Sequence, residues 1–184
     1  MKNRSHIIFR DRWPWPGGAA ALGAALRLAL GGIDPGEVAV VCLGSPGQPG
    51  DALGPMVGSI LASRRPRWHV RGTLERPLDA RSLEPEINRL MGEHPARLIL
   101  AVDAATGPLR ALGQITVRRG PVWPGLGLGR LMLPLGDLSV TGVVRPRHPL
   151  GKLLAVPGGR PERRAAALAP VIAEGILQGL GGGE

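Results

Sequence analysis

The sequence has one cysteine, no tyrosine and two lysines among its 184 residues. A single cysteine excludes a disulfide framework and any zinc or iron–sulfur site built from several cysteines. The 29 glycines and 19 prolines follow no triplet period, which excludes collagen. Because lysine and tyrosine are scarce while arginine, alanine, glycine and proline are abundant, the net charge of +9 indicates GC-rich codon usage rather than selection for a basic surface.

Long hydrophobic runs are also missing. No stretch of 18 or more uncharged apolar residues occurs, which argues against a membrane-spanning helix. A signal peptide is not indicated, because charge follows after only three apolar residues near the start and the apolar residues 19–30 include Arg27. We therefore expect a soluble, cytoplasmic protein with no membrane partner.

The proportions of the remaining residues are those of a globular protein. Hydrophobic residues make up 43% and charged residues 20% of the chain, which argues against a disordered protein. The length fits one domain of ordinary size. We predict a single domain over residues 1–184, with residues 1–17 as an N-terminal arm or edge strand and residues 181–184 as a flexible tail.

Two continuous apolar runs, residues 38–43 and 98–102, predict strands that are covered on both faces of a parallel sheet. Apolar periodicity and helix-end signals predict further elements. The additional strands are expected at residues 7–10, 67–71, 113–118 and 138–145, and helices at residues 19–30, 51–61, 82–92 and 162–180. This order predicts a three-layer α/β/α sandwich with a mainly parallel central sheet.

The glycine-rich loop at residues 44–50 lies between a predicted strand and a predicted helix, where a phosphate-binding loop would be expected. Pro46 and Pro49 remove two backbone N–H donors, and no Gly-Lys-Ser/Thr ends the loop. Asp51 would repel a phosphate from the start of the helix. The loop therefore predicts no nucleotide site, and we expect no cofactor.

Two aspartates follow the two apolar strands. Asp51 lies beyond the strand at residues 38–43 and Asp103 comes directly after the strand at residues 98–102. The carboxyl ends of parallel strands face the ligand crevice, so neighbouring strands would bring the two carboxylates together as an acid and a base. Alternatively, Asp51 is only a helix N-cap and Asp103 only binds loop N–H groups.

A divalent metal is a further alternative for two carboxylates. Two carboxylates without a confirmed third ligand fall short of a coordination shell, so we predict no tightly held metal. Other polar or loop residues are candidates to line the same crevice. Asp137 is a candidate third acidic group, and a turn is the alternative role for Thr73 and Glu75. The substrate-binding candidates are Gly44, Ser45, Thr73, Glu75, Asp137 and Thr141.

The arginines occur in dispersed clusters and accompany no recognised nucleic-acid motif. We interpret them as a solvated surface, so nucleic acid is not a favoured partner. The clusters are Arg64-Arg65-Pro-Arg67, Arg118-Arg119, Arg145 with Arg147, and Arg163-Arg164.

Residues 42–55, Cys-Leu-Gly-Ser-Pro-Gly-Gln-Pro-Gly-Asp-Ala-Leu-Gly-Pro, resemble the signature of the YyaC family of sporulation proteins. Related blocks follow in order at residues 72–77, 101–104, 120–125 and 135–142. The Asp-Ala-Leu-Gly-Pro and Val-Asp-Ala elements also resemble the spore germination protease, which degrades small acid-soluble spore proteins. Hydrogenase maturation peptidases share this wider phosphorylase/hydrolase-like α/β sandwich. By this resemblance, Asp51 and Asp103 match the two aspartates implicated in germination-protease catalysis.

The resemblance implies a sporulation-associated peptidase that acts on a spore protein in the sporulating cell or the spore interior. The alternative is a catalytically silent binding protein that keeps the fold and recognises a spore protein or nucleic acid, since fold alone does not establish turnover. From Arg145 onward the chain has Arg-Pro-Arg-His-Pro where YyaC proteins have asparagine and a glycine-rich stretch, a difference that bears on substrate specificity. The oligomeric state stays open.

Overall fold

The computed structural model describes residues 6–79, 82–93, 96–123, 134–147 and 159–181. These residues form a mixed α/β fold with a six-stranded, mostly parallel sheet and four α-helices. The strands are β1 (His6–Arg12), β2 (Val38–Cys42), β3 (His69–Arg71), β4 (Leu98–Gly107), β5 (Gln114–Arg119) and β6 (Leu138–Pro146). The helices are α1 (Gly18–Leu30), α2 (Leu53–Arg64), α3 (Leu83–Glu93) and α4 (Pro161–Leu180). Every predicted strand and helix is present, with small shifts at the ends except in β4, which extends to Gly107.

The strand order is β1-β5-β6-β4-β2-β3, so β2 and β4 are interior neighbours and β1 is an edge strand. Strands β6, β4, β2 and β3 are parallel to one another, whereas β5 is antiparallel to both β6 and β1. The predictions of central parallel strands and of an N-terminal edge strand are therefore confirmed. Residues 182–184 of the predicted tail and residues 124–125 of the fourth YyaC-like block lie outside the described residues.

Both faces of β2 are covered, which explains its uninterrupted apolar sequence. Val40 and Cys42 belong to a core that includes side chains of α1, α2 and α4. Ala39 and Val41 point the other way and belong to a core that includes side chains of α3. All five residues of β2 are buried, as expected of a strand with apolar cover on each side.

Helix α2 packs against the sheet through glycines. A Cβ atom on Gly54 would overlap the carbonyl oxygen of Leu43, and a Cβ on Gly58 would overlap the carbonyl oxygen of Gly72. Because these residues have no side chain, the helix lies directly on the backbone at the end of β2 and after β3. This close approach fixes the beginning of α2 beside the carboxyl end of the parallel strands.

Strand β4 is longer than the sequence predicted, and the expectation that Asp103 follows the strand is wrong. Residues from Asp103 to Gly107 continue the ladder by pairing with Thr141 to Pro146 of β6, which satisfies their backbone groups on that side. Strand β2 ends at Cys42 on the other side of β4. Asp103 therefore lies within β4, on the part of that strand that extends beyond β2.

Candidate functional site

The loop between β2 and α2 folds back on itself, so that Asp51 at its end lies beside Gly44 and Ser45 at its beginning. Two backbone hydrogen bonds, from Gln48 N–H to the Ser45 oxygen and from Asp51 N–H to the Gln48 oxygen, form successive turns. Gly44 has a φ of 144° and a Cβ there would overlap the backbone oxygen of Asp51. Gly44 therefore permits the close approach of Asp51, a positioning role that its assignment to substrate binding did not foresee.

The Asp51 carboxylate closes this loop. Its Oδ2 accepts the backbone N–H of Ser45 at 2.8 Å. The N-cap of α2 is Ala52, which makes no side-chain capping bond, so the alternative interpretation of Asp51 as a helix N-cap is wrong. Because the two turns bring Asp51 back beside Ser45, its carboxylate accepts the N–H of Ser45 in the loop and not an N–H of α2.

Arg145, at the end of β6, lies beside Asp51. Its Nη2 is 3.7 Å from Asp51 Oδ1, and the side chains are only 21% and 15% exposed. The interpretation of Arg145 as a solvated surface residue is therefore wrong. The signal in the sequence is the position of Arg145 at the carboxyl end of a predicted parallel strand, because the carboxyl ends of parallel strands face the ligand crevice.

Asp103 is partly buried, and its Oδ1 accepts the backbone N–H of Ala104 at 2.8 Å. The pKa of Asp103 is raised from 3.8 to about 8, first by burial and then by the negative charge of Asp51, while the Ala104 N–H and the positive charge of Arg145 act in the opposite direction. Desolvation dominates because a carboxylate loses water that a single N–H cannot replace. The structure thus brings Asp103, Asp51 and Arg145 within electrostatic range, and a pKa of about 8 favours the protonated form of Asp103 at neutral pH.

The remaining predicted residues divide into those near the pair and those away from it. Thr141 on β6 is directly paired in register with Asp103, so the two side chains emerge on the same face of the sheet. Thr73 forms a turn after β3, in which its Oγ1 accepts the N–H of Arg76 at 3.1 Å and Glu75 is exposed. This is the turn role that the sequence left open, and neither Thr73 nor Glu75 hydrogen-bonds or ion-pairs with the aspartates.

Asp137 lies at the opposite end of the sheet from the pair. It precedes β6, and its Oδ2 accepts the N–H of Ile99 at 2.8 Å. Ile99 is four residues before Asp103 on β4, a separation of about 13 Å along a strand. The structure therefore does not bring Asp137 to the other two aspartates, and the hypothesis of a third acidic group at the site is wrong.

The described part of the chain contains no group of three or more His, Cys, Asp or Glu side chains that could hold a metal ion. The guanidinium of Arg145 beside Asp51 also disfavours a cation there, because like charges at short range repel. The prediction that the protein holds no tight metal remains a prediction.

A groove of about 610 Å³ lies away from the aspartates. It is lined by Arg64, Arg65 and Arg67 at the end of α2 and by the end of α4. Arg64 forms an ion pair of 3.6 Å with Glu174 of α4, and cations at a helix C-terminus interact favourably with its dipole. Arg64 therefore has a structural explanation, and the groove is lined by neither Asp51 nor Asp103.

The raised pKa of Asp103 predicts how stability depends on pH. Between the ordinary pKa and about 8, the folded protein holds a proton on Asp103 that the unfolded chain has released. The free energy of unfolding therefore falls as pH rises through this range. Chemical unfolding of the parent and of Asp103→Asn at pH 5 and pH 8 should show the parent losing stability relative to the variant. A difference that does not change with pH would contradict the protonated state.

None of the helices in the described ranges is both long enough and apolar enough to cross a membrane. Residues 21–151 match a family described as "Protein of unknown function (DUF1256)", and this range includes Asp51, Asp103 and Arg145. The chain is also 36% identical over 124 residues to the "Uncharacterized protein YyaC" of Bacillus subtilis strain 168. That alignment covers 67% of this chain but only 58% of YyaC. These matches agree with the motifs that resemble the YyaC family. The chain belongs to the DUF1256 family, whose matched region contains both aspartates and the residues on either side of them.

Proposed function

We propose that this protein is a peptidase-like hydrolase in which Asp51 and Asp103 act together on a peptide bond. The observation that carries the proposal is a difference between the two carboxyl groups. Asp103 is partly buried with a pKa of about 8, whereas Asp51, whose negative charge acts on Asp103, lies beside the guanidinium of Arg145. Two carboxyl groups in different protonation states at one site are what general acid–base catalysis requires.

In this mechanism Asp51 is the base and Asp103 is the acid. The Asp51 carboxylate would take a proton from a water that attacks the peptide carbonyl, and the Asp103 carboxyl would donate its proton to the leaving amide nitrogen. The Ser45 N–H that binds Asp51 Oδ2 at 2.8 Å would hold the base in place. This assignment predicts loss of activity as pH rises through about 8, since the acid is then ionised.

The resemblance to germination protease supports this assignment, because Asp51 and Asp103 match its two aspartates. We also propose the finer fold class, a three-layer α/β/α sandwich like that of the hydrogenase maturation peptidases. Helices that pack on both faces of β2 support that class. By the same resemblance, the substrate is a spore protein, and the protein works in the cytoplasm of the sporulating cell or in the spore interior.

Cleavage of spore proteins tests the proposal directly. Purified protein is incubated with a pool of small acid-soluble spore proteins near neutral pH, and mass spectrometry identifies new peptide termini. We expect new termini with the parent and none with Asp103→Asn. Spore proteins that co-purify with the protein without being cut would instead support the silent binding protein. The absence of both cleavage and binding would contradict the proposed substrate class.

A further inference from the structure

We propose that Arg145 is a third catalytic residue, whose Nε–H donates a hydrogen bond to the carbonyl oxygen of the peptide bond under attack. The inference rests on the proposed function and goes beyond it. Neither the aspartate pair nor the resemblance assigns a group to stabilise the negative charge that develops on that oxygen. Electrostatic stabilisation of such an oxyanion is commonly the largest single contribution to catalysis.

The first argument concerns the donors of Arg145. A guanidinium has five N–H groups and cannot accept a hydrogen bond. The contact from Nη2 to Asp51 Oδ1, at 3.7 Å, is longer than a hydrogen bond. Nε is buried and has no acceptor among the described residues. A buried donor of a charged group is costly to leave unpaired, so this N–H is suited to a ligand oxygen.

The second argument concerns position, because an unpaired donor alone does not identify a site. Arg118 also has a buried Nε without an acceptor in the described ranges. Arg145 differs because it contacts Asp51 and its charge acts on Asp103. Its guanidinium therefore lies beside the two carboxyl groups that the proposed function assigns to the reaction.

The third argument is that this interaction strengthens during the reaction. As the water oxygen bonds to the carbonyl carbon, its proton moves to Asp51 and an electron pair moves onto the carbonyl oxygen. Asp51 then no longer attracts Arg145, while the new oxyanion does. When the oxyanion reforms the carbonyl, the C–N bond breaks and the nitrogen takes the proton of Asp103. The proton held by Asp51 then restores the Asp103 carboxyl. Interactions made mainly in the transition state raise kcat.

The experiment compares Arg145→Gln and Arg145→Lys with the parent. Loss of one oxyanion donor typically lowers kcat by about 10²–10³-fold, so we expect this loss in Arg145→Gln with KM nearly unchanged. Arg145→Lys keeps the charge but lacks the Nε–H, so we expect it to recover only part of the rate. Arg147→Gln is the matched control, since the Arg147 side chain is exposed and its backbone N–H donates to the Gly107 oxygen at 2.8 Å.

A second measurement does not depend on cleavage. The positive charge of Arg145 lowers the pKa of Asp103, so carbon-13 NMR of the aspartate carboxyl groups should show that pKa rising in Arg145→Gln and staying near the parent value in Arg145→Lys. A folded Arg145→Gln that cleaves as fast as the parent would overturn the catalytic role of Arg145 and leave the proposed function of the two aspartates standing. An unchanged Asp103 titration in Arg145→Gln would overturn its placement. A parent that cleaves no peptide would remove the proposed function together with this inference.

Discussion

Replacing Asp103 by asparagine is expected to slow peptide cleavage by about 10²–10⁴-fold, the usual contribution of a general acid or base. Asparagine has nearly the same size as aspartic acid and its Oδ1 can still accept the Ala104 N–H at 2.8 Å. It cannot donate a carboxyl proton to the leaving nitrogen. The variant should therefore fold and bind substrate but lose turnover. The kcat on a spore peptide that the parent cleaves measures turnover, and circular dichroism checks the fold.

The same chemical change elsewhere in the sheet provides the control. Asp137 also accepts a backbone N–H, from Ile99 at 2.8 Å, but it lies at the amino end of β6, away from the pair. We expect Asp137→Asn to keep the parent activity, and Asp51→Asn to lose activity as Asp103→Asn does. A folded Asp103→Asn that cleaves as fast as the parent would show that Asp103 is only a structural aspartate.

Replacing Gly58 by alanine is expected to lower the free energy of unfolding by about 3 kcal/mol, the upper end of the usual cost of overpacking. For a chain of this size, that corresponds to a fall of roughly 6–12 °C in Tm. The added Cβ would overlap the carbonyl oxygen of Gly72. The backbones at Gly58 and Gly72 can separate only if α2 moves away from the sheet. Chemical and thermal unfolding measure this change.

Gly92 is the matched control because it also lies in a helix, α3, but a Cβ there would meet no atom within 4 Å. Alanine in an unobstructed helical position is favoured over glycine by up to about 1 kcal/mol. We therefore expect Gly92→Ala to keep or slightly raise the free energy of unfolding. If Gly58→Ala were as stable as Gly92→Ala, the close packing of α2 on the sheet would be contradicted.

The elements of the fold could be predicted from the sequence because their burial pattern is local. Residues 38–43 and 98–102 are apolar at every position, and only a strand covered on both faces has that pattern. The resemblance to the YyaC family was equally local, since residues 42–55 contain Gly44, Asp51 and Gly54 in one short block. The structure explains this spacing: Gly44 and Gly54 allow the loop and α2 to approach the backbone at the end of β2.

The chemistry of the site was less predictable. Asp51 was a candidate helix cap until the loop turns directed its carboxylate to Ser45. Asp103 and Asp137 are both aspartates next to apolar strand residues, yet β4 carries one into the site and the start of β6 holds the other at the opposite end. Arg145 could not be distinguished from the exposed arginines, because the residue type alone does not indicate which side chains surround it in the fold.

The sequence by itself indicated the strands, the helices, the family resemblance and the two aspartates Asp51 and Asp103, because apolar runs and closely spaced motifs are properties of neighbouring residues. Only the tertiary structure decided that the pKa of Asp103 is raised and that Arg145 lies beside Asp51. Both depend on β2 ending before β4 while β6 continues beside it. The interaction of charges depends on distance through space and on burial, and strand order and strand length set these quantities, whereas separation along the chain does not.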